Sequence, residues 1–454
     1  MPTKPKSFMK NVLIIGAGRS STALIKYLLD EAEKHGWFIT VADSSHETAE
    51  EKVNGHPNGR ATWLDVLKPN DRRDLMMRQD VVVSLLPAHL HYRIAKDCIK
   101  YKKHLVTASY VSRDLYRLNP EVLDASLIFM GEMGLDPGID HMSAKKTIDE
   151  IRAKGGKITS FRSYTGGLVA PESDNNPWHY KISWNPRNVV LAGQGTSQYL
   201  VKGKHKYIPY NRLFKQYRLV DIPGVGEFES YANRDSLLYR EIYDIDDIPT
   251  IKRATLRHSG FCDAWNALVQ LGLTSDEYPI LESENMTYRE LIDAFLLDNP
   301  YVTGTIKERL ATFLNIGASS EIIKKLEWLG LFDRKQIGII NATPAKILEK
   351  LLVEKLKLEE DDKDMIVMHH VFKYTLKRKK YKLQSSMVLK GDNSVHTAMS
   401  KLVGLPIGIF VKLIMEGKIK ETGVQIPVKS TIYEPVLEEL KNYGVEFKDI
   451  ITEV

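Results

Sequence analysis

The first 135 residues alternate between short apolar runs and longer segments whose apolar residues recur at helical spacing. From Asn11 the chain reads NVLIIGAGRSSTALIKYLLDEAEKHG, which is a strand-like run, a Gly-x-Gly turn and a helical segment. Four further strand-like runs follow: FITVADSS (38–45), DVVVSLLP (80–87), HLVTASYV (104–111) and ASLIFMGEMG (125–134). Strands that alternate with helices predict an α/β domain over residues 1–135, with a Rossmann-type doubly wound parallel sheet.

The pattern changes after residue 135. The segments KITSFRSYTGG (157–167), MIVMHHVFKYTL (365–376) and KYKLQSSMVLKG (380–391) alternate like antiparallel strands. Between about residues 286 and 363, charged segments carry apolar residues at helical spacing, which predicts a helical insertion for packing or dimer contact. Residues 136–393 are therefore predicted to form an α+β substrate and dimerisation domain that contains this insertion.

The last segment, residues 394–454, contains the apolar stretch VHTAMSKLVGLPIGIFVKLIMEGKI. Its spacing is helical, and Gly404 and Pro406 predict an interruption of that helix. Its apolar character predicts that the segment returns to pack on the first domain, closing the two domains around a cleft.

The segment TGGLVAPESDNNPWHYKISWNPRNV (165–189) fits neither the helical nor the strand period, which predicts a long loop. Long loops are uncommon unless they bind something. Trp178 and Tyr180 are rigid apolar anchors, and Glu172 and Asn176 could make polar contacts, so we expect one wall of the cleft here. A purely structural loop is the alternative.

Composition narrows the class of protein. The chain has 454 residues, 43% apolar and 27% charged, which is typical of a soluble folded protein of two or three domains. The net charge of +6 is too small for a nucleic-acid footprint, and the basic run KYTLKRKKYK (373–382) favours a hairpin turn over an RNA-binding patch.

Cys98 and Cys262 lie far apart without metal-ligand spacing, which favours a reducing cytoplasm and no metal site. Residues 1–10 precede too few apolar residues for a signal sequence or membrane span, so no membrane partner is expected.

The turn after the first strand is a candidate dinucleotide site. Gly16 permits a tight turn, Gly18 lets backbone N–H groups approach a pyrophosphate, and the next helix presents its N-terminus to that anion. Asp43 ends the second strand, near the place where an acid binds a ribose 2′-hydroxyl. NAD is therefore slightly favoured over NADP, unless residues 44–46 accept the additional phosphate. The predicted cofactor-binding residues are Gly16, Gly18, Arg19, Ser20, Ser21, Asp43, Leu86 and Pro87.

Four motifs behind the N-terminal GAG carry a resemblance to a known family: GLDPGIDH (134–141), YTGGLVAPESDNNPWHYKISWNPRNVVLAG (164–193), YANRDSLLYREIY (231–243) and ATLRHSGFCDAWNAL (254–268). In this order they closely resemble the saccharopine dehydrogenase family of the L-glutamate-forming type, also called saccharopine reductase. The resemblance implies an oxidoreductase of lysine metabolism. Such enzymes interconvert saccharopine with L-glutamate and 2-aminoadipate 6-semialdehyde, by hydride transfer to or from NAD(P) and imine hydrolysis.

The matching motifs also imply a substrate site. The residues they place there are Ser109, Tyr110, Asp136, Arg234, Thr255, Leu256 and Arg257. Saccharopine carries three carboxylates, which guanidinium groups bind well. Asp136 is the candidate catalytic residue, because a carboxylate at a strand end could bind the substrate amine or orient the hydrolytic water. Surface ion pairs for the arginines and a helix cap for Asp136 are the alternatives.

Three histidines in the motifs, His141, His179 and His258, could transfer protons, but a lone histidine is more often a structural hydrogen-bonding group. Arg113, His258 and the pair at 370–371 depart from residues common in the family, which affects substrate geometry more than the fold.

Two other functions stay open at this level. The substrate could be another N-carboxyalkyl amino acid or a polyamine, as for the relative carboxynorspermidine dehydrogenase, although a polyamine would need acids where the arginines lie. The chain could also be a non-catalytic regulator that senses NAD. A cytoplasmic homodimer is the default expectation.

Overall fold

The computed structural model describes residues 10–296 and 303–454, so residues 1–9, considered above for a signal sequence, lie outside the described part. The chain divides into two compact units. The first comprises the residues up to Gly155 together with Val395–Phe447, and the second comprises Gly156–Ser394 together with Lys448–Val454. The observed division therefore differs from the boundary drawn at residue 135 by about one helix, and the last seven residues fall in the second unit.

A parallel sheet of seven strands forms the centre of the first unit. The strands are β1 Asn11–Ile15, β2 Phe38–Asp43, β3 Gly59–Trp63, β4 Val81–Ser84, β5 His104–Val106, β6 Ile128–Met130 and β15 Gly423–Gln425. Their order is β15-β6-β5-β4-β1-β2-β3, and each neighbouring pair is parallel. This is the doubly wound order, so the predicted Rossmann-type sheet is confirmed. The helices of this unit are α1 Thr22–His35, α2 His46–Val53, α3 Pro69–Met76, α4 His91–Tyr101, α5 Arg113–Arg117, α6 Asn119–Asp124, α7 Ile139–Ala153, α16 Ala398–Met415 and α17 Ser430–Leu440.

Continuous apolar runs build the middle of this sheet. Residues 12–14 in β1 and 81–83 in β4 are fully buried, as expected for parallel strands covered on both faces. The apolar pattern does not predict β3, which reads GRATW, because this edge strand is only partly buried and needs no apolar run.

Helix α16 runs without a break through Gly404 and Pro406, so the predicted interruption is wrong. A Cβ on Gly404 would lie 2.7 Å from the backbone nitrogen of Leu24, and one on Gly408 would lie 2.5 Å from the ring of Tyr27. The glycines therefore allow α16 to pack closely on α1. By length and composition α16 could cross a membrane, but 78% of it is buried inside the protein, as for a core helix. The prediction that this segment returns to the first domain is confirmed.

A mixed sheet forms the second unit. Its strands are β7 Lys157–Val169, β8 Thr196–Val201, β9 Lys204–Pro209, β10 Arg218–Ile222, β11 Gly226–Ala232, β12 Ile251–Arg257, β13 Asp364–Leu376, β14 Lys379–Lys390 and β16 Lys448–Glu453. The main path is β10-β11-β12-β7-β13-β14-β16, with β8 and β9 beside β12. Only the β7–β12 pair among these is parallel. The tip between β13 and β14 has positive φ at Lys377 and Arg378, which confirms the hairpin turn in the basic run.

Helices cover part of this sheet. They are α8 Pro186–Val190, α9 Tyr210–Leu213, α10 Tyr239–Ile242, α11 Phe261–Gln270, α12 Tyr288–Phe295, α13 Ile306–Leu314, α14 Glu321–Leu329 and α15 Pro344–Lys355. Thr287 and Thr305 begin α12 and α13 with capping boxes. The buried faces of α12–α15 share one apolar core with Trp178 and Trp265, so the predicted helical insertion serves packing.

The segment 165–189 is not one long loop. Its first five residues complete β7 and pair with β13, and a Cβ on Gly166 would lie 2.7 Å from the side chain of Leu256 on the next strand. Trp178 and Tyr180 are buried in the core of this unit, and Trp178 Nε1 donates to a backbone carbonyl at 3.0 Å. Asn176 Nδ2 donates to the Tyr180 carbonyl at 3.0 Å. These contacts favour the structural alternative for this segment.

Candidate active site

The glycine turn after β1 has two different glycines. Gly16 has φ +107° and its amide donates to the carbonyl of Ala42 at 2.8 Å. A Cβ on Gly16 would meet Leu85 backbone atoms at 3.2 Å, so this position needs glycine for the fold. Gly18 has an ordinary φ of −64°, is exposed, and a Cβ built there would meet no described atom within 4 Å. The open space in front of Gly18 fits the close approach of a dinucleotide pyrophosphate.

The rest of the turn is held by side chains. The hydroxyl of Ser21, at the third fingerprint position, donates to the Gly18 carbonyl at 2.7 Å and is buried. Arg19 is exposed and Ser20 half-buried on the same turn. Ser21 therefore fastens the loop, whereas Gly18, Arg19 and Ser20 lie at its surface.

Asp43 does not present a free carboxylate. One oxygen accepts from the backbone nitrogen of Ala17 at 2.7 Å, and the other accepts from the backbone nitrogen of Ser45 at 2.9 Å and the hydroxyl of Ser44 at 3.2 Å. The carboxylate ties the end of β2 to the glycine turn. Because both oxygens are already engaged, the structure gives no support to the preference for NAD inferred from Asp43.

Other predicted site residues follow the neighbouring strands at the same edge of the sheet. Leu86 and Pro87 follow β4, Ser109 and Tyr110 follow β5, and Asp136 follows β6. These strands lie side by side with β1, and the carboxyl ends of parallel strands share one edge. The sequence-predicted cofactor residues and the first three substrate residues therefore come together. The hydroxyl of Tyr110 donates to Asp136 Oδ1 at a long 3.4 Å, which joins the loops after β5 and β6.

A tight turn places Asp136. Gly138 has φ +149°, and a Cβ there would overlap the backbone of Gly134 at 2.0 Å. The Gly134 amide donates to the carbonyl of Pro137 at 3.0 Å. The glycines of GLDPG are thus required by this turn, which sets the half-buried Asp136 at its tip.

Two buried acids and a histidine hold the loops after β5 and β6 by hydrogen bonds. Glu132 Oε2 lies 2.8 Å from His141 Nε2, and Glu132 Oε1 accepts from the backbone nitrogen of Val111 at 3.1 Å. Asp140 Oδ1 accepts from the Gly138 amide at 2.7 Å. His141 is fully buried, so it serves the scaffold and does not face a substrate.

The other two motif histidines lie in the second unit. His179 Nδ1 lies 2.8 Å from Asp174 Oδ2, and His258 Nε2 lies 3.3 Å from the carbonyl of Val169. Burial lowers the pKa of His258. Both rings are engaged with their own unit, which favours the structural reading.

Sequence reasoning missed a buried histidine behind the site. His91 begins α4 and contacts the hydroxyls of Ser84 at 2.9 Å and Ser109 at 2.8 Å. Burial, with a smaller effect of His89, lowers the pKa of His91 to about 4. The signal in the sequence is weak, because the three residues are 7 and 18 positions apart and belong to different elements.

Arg257, in the second unit, is a buried cation without a carboxylate beside it among the described residues. Its guanidinium carbon lies 5.2 Å from the ring centres of Tyr180 and Phe261 and 5.8 Å from that of Tyr231. Nη1 donates to the carbonyl of Leu256 at 2.8 Å, and Nε has no described partner. A buried guanidinium with spare donors can bind an anion such as a carboxylate.

The remaining predicted substrate residues are not all near Arg257. Leu256 is fully buried in the sheet core, so only its backbone could contact a ligand, while Thr255 is half-buried. Arg234 is exposed and follows β11, and its neighbour Asn233 donates to the carbonyl of Arg253. Arg234 thus lies level with the start of β12, about 13–16 Å along that strand from Arg257. The structure does not bring the two arginines together within this unit.

The parallel sheet, the glycine turn that opens at Gly18 and the polar strand ends define a Rossmann-type dinucleotide-binding protein. Residues 12–129 match the family model of the saccharopine dehydrogenase NADP binding domain, and residues 134–445 match that of the saccharopine dehydrogenase C-terminal domain. The chain belongs to the saccharopine dehydrogenase family. It is therefore an oxidoreductase that uses a nicotinamide cofactor.

Similar proteins support this assignment over the whole length. The chain is 36% identical to the saccharopine dehydrogenase [NADP(+), L-glutamate-forming] of Pyricularia oryzae, covering 97% of this chain and 98% of that protein. The solved structure of the apo L-Glu-forming enzyme from Saccharomyces cerevisiae matches with a TM-score of 0.86 at 32% identity, covering 98% of this chain and 100% of that chain. The chain is also 35% identical to the alpha-aminoadipic semialdehyde synthase of Bos taurus, covering 96% of this chain and 47% of that protein. A homospermidine synthase from Legionella pneumophila in complex with NAD shares only the fold, with 11% identity and a TM-score of 0.57, covering 98% of this chain and 92% of that chain.

Proposed function

We propose that this protein interconverts saccharopine with L-glutamate and 2-aminoadipate 6-semialdehyde, with NADP as its preferred cofactor. The relatives of similar length support the reaction, because they are named as L-glutamate-forming saccharopine dehydrogenases. The observation in this structure that carries the proposal is the Tyr110–Asp136 pair, which lies at the same sheet edge as the open glycine turn.

The site residues divide the chemical work. The bound nicotinamide supplies the hydride acceptor. Asp136, oriented by the Tyr110 hydroxyl, takes a proton from the secondary ammonium of saccharopine, since a protonated amine cannot release hydride from the adjacent carbon. Once hydride has left that carbon to the bound nicotinamide, the substrate would hold a C=N bond. Water would then add to the carbon of that bond, and the C–N bond would break to give L-glutamate and the semialdehyde. Asp136 holds that water.

The preference for NADP is supported by the names of the relatives and by the engaged carboxylate of Asp43. Ser44, after β2, and His46, the first residue of α2, are exposed, and they could accept a 2′-phosphate there. Ser45 is less available, because its side chain caps α2 by accepting from the backbone nitrogen of Thr48 at 3.2 Å. Replacing Ser44 and His46 with alanine should lower kcat/KM for NADP about tenfold and leave that for NAD within about twofold. His205→Ala, at an exposed histidine of the second unit, is the matched control.

The proposed reaction is tested by its products. Wild-type protein with saccharopine and NADP should form one L-glutamate and one semialdehyde for each NADPH. Asp136→Asn should reduce kcat by about a hundredfold or more, and Tyr110→Phe by about tenfold. Tyr207→Phe, at an exposed tyrosine, should change nothing. Full turnover by Asp136→Asn would overturn the role of Asp136, and turnover of a polyamine or another N-carboxyalkyl amino acid instead of saccharopine would change the substrate.

The homodimer and the cytoplasmic location stay predictions from the sequence. Sedimentation of the purified protein and localisation of a tagged chain would test them.

A further inference from the structure

A hydrogen-bonded chain of side chains leads from the interior of the first unit to its candidate substrate site. Ser84 is fully buried and its hydroxyl lies 2.9 Å from His91 Nδ1. His91, 4% exposed, has its Nε2 2.8 Å from the hydroxyl of Ser109 and 3.5 Å from that of Thr107. Ser109 is half-buried in the loop after β5. These hydrogen bonds therefore connect the buried interior of the first unit to Ser109, one of the predicted substrate-binding residues.

The buried end of this chain decides which nitrogen of His91 carries the proton. The Ser84 hydroxyl has no other hydrogen-bond partner within residues 10–296 and 303–454. If Nδ1 carried the proton, the Ser84 oxygen would accept a hydrogen bond from Nδ1–H. The O–H of Ser84 would then be a buried donor without an acceptor, which is unfavourable. Ser84 therefore donates to Nδ1. The proton of the neutral ring then sits on Nε2.

This tautomer fixes the direction of the Ser109 hydroxyl. Nε2–H donates to Ser109 Oγ, so the Ser109 O–H points away from His91 as a donor. The backbone of Ser109 is held at the same time, because its nitrogen donates to Thr107 Oγ1 at 3.2 Å and its carbonyl accepts from the Glu132 amide at 3.0 Å. An outward hydroxyl donor suits an anionic oxygen acceptor.

We propose that His91 is a positioning residue that holds the Ser109 hydroxyl as a hydrogen-bond donor to a carboxylate of the substrate. The choice of ligand rests on the proposed function. The tautomer and the hydroxyl direction rest on the geometry of the first unit alone.

Two substitutions separate positioning from packing. The side-chain amide nitrogen of His91→Gln can take the place of Nε2 and still donate to Ser109, whereas His91→Asn can replace only Nδ1. We expect His91→Asn to raise the KM for saccharopine about tenfold with a smaller change in kcat, and His91→Gln to stay within about threefold of wild type. The KM for the cofactor should stay unchanged in both. In a Ser109→Ala background, His91→Asn should not raise the KM for saccharopine further, because His91 acts through the Ser109 hydroxyl, which is then absent.

Both the kinetic experiment and an NMR experiment can overturn the proposal. Equal losses in the two His91 variants, or losses that add to that of Ser109→Ala, would show a merely structural role and overturn the proposal. Long-range ¹⁵N–¹H NMR of the histidine rings reads the tautomer of His91 without any turnover, and an Nδ1–H signal would also overturn it. If the wild-type protein does not turn over saccharopine, the proposed function is wrong, and so is the assignment of a saccharopine carboxylate as the ligand of Ser109. The NMR result would still confirm or reject the proposed orientation of the Ser109 hydroxyl.

Discussion

Replacing Gly18 with alanine should block the cofactor and spare the fold. Gly18 has backbone angles open to any residue, φ −64° and ψ −176°, and a Cβ there meets no described atom within 4 Å. The apo protein should therefore be as stable as wild type, or about 0.4–1 kcal/mol more stable, since alanine restricts the unfolded chain. A methyl group in that space would separate the backbone N–H groups from a pyrophosphate. Losing one or two hydrogen bonds to a charged group, at about 1.5 kcal/mol each, corresponds to a cofactor Kd about 10- to 100-fold weaker.

Gly16→Ala is the matched control with the opposite outcome. At φ +107° and with Leu85 backbone atoms 3.2 Å from the new Cβ, it should cost about 1–3 kcal/mol. For a unit of about 200 residues, in which 1 kcal/mol shifts Tm by about 2–4 °C, that corresponds to a fall in Tm of about 2–12 °C. Thermal unfolding of the apo proteins and calorimetric titration with NADP and NADPH measure both effects. Wild-type cofactor affinity in Gly18→Ala would refute the assignment of the open turn as the pyrophosphate site.

Three further predictions concern stability. Burial lowers the pKa of His91 and of His369 from 6.5 to about 4, so the free energy of unfolding should be highest above pH 6.5 and fall as the pH drops toward 4, by up to about 3 kcal/mol for each ring. Urea unfolding across this range, with His91→Gln flattening the slope, tests this, and a flat wild-type profile would contradict it. Asp43→Asn should destabilise the protein by about 1–3 kcal/mol, because its amide NH2 group then faces a backbone donor, and it should leave the cofactor preference unchanged. A shift of kcat/KM toward NADP in the kinetic assay would show that Asp43 contacts the ribose. Asp362→Ala should cost about 3–5 kcal/mol, because it leaves Lys181 as an unpaired charge that is only 5% exposed, and urea unfolding unchanged from wild type would show that the pair contributes little.

The sequence was sufficient for the parallel sheet and for the residues at its carboxyl edge. Runs such as VLII and VVV are apolar throughout because both faces of those strands are buried, and this pattern is visible without a structure. The edge strand β3 carries no such pattern. Gly404 in α16 was predicted to interrupt the helix, although it permits a close approach to Leu24. Whether a glycine ends an element or lets a neighbour approach depends on the tertiary contact.

The candidate site shows the same limit. The position of Asp43 could be predicted, but not that two backbone N–H groups already bind its carboxylate, because their directions depend on the fold of the turn. His91 has no local motif, since its partners come from the end of one strand and the loop after the next. The separation of Arg234 from Arg257 follows from the register of β11 and β12, which the alternation of residues does not specify.

The most direct measurement is the absorbance change at the nicotinamide band when purified protein is mixed with saccharopine, in parallel with NADP and with NAD. Saccharopine-dependent reduction that is faster at equal concentration with NADP is the expected result. Turnover with NAD alone would contradict the proposed cofactor, and no change with either cofactor, in protein that binds NADPH, would contradict the proposed reaction.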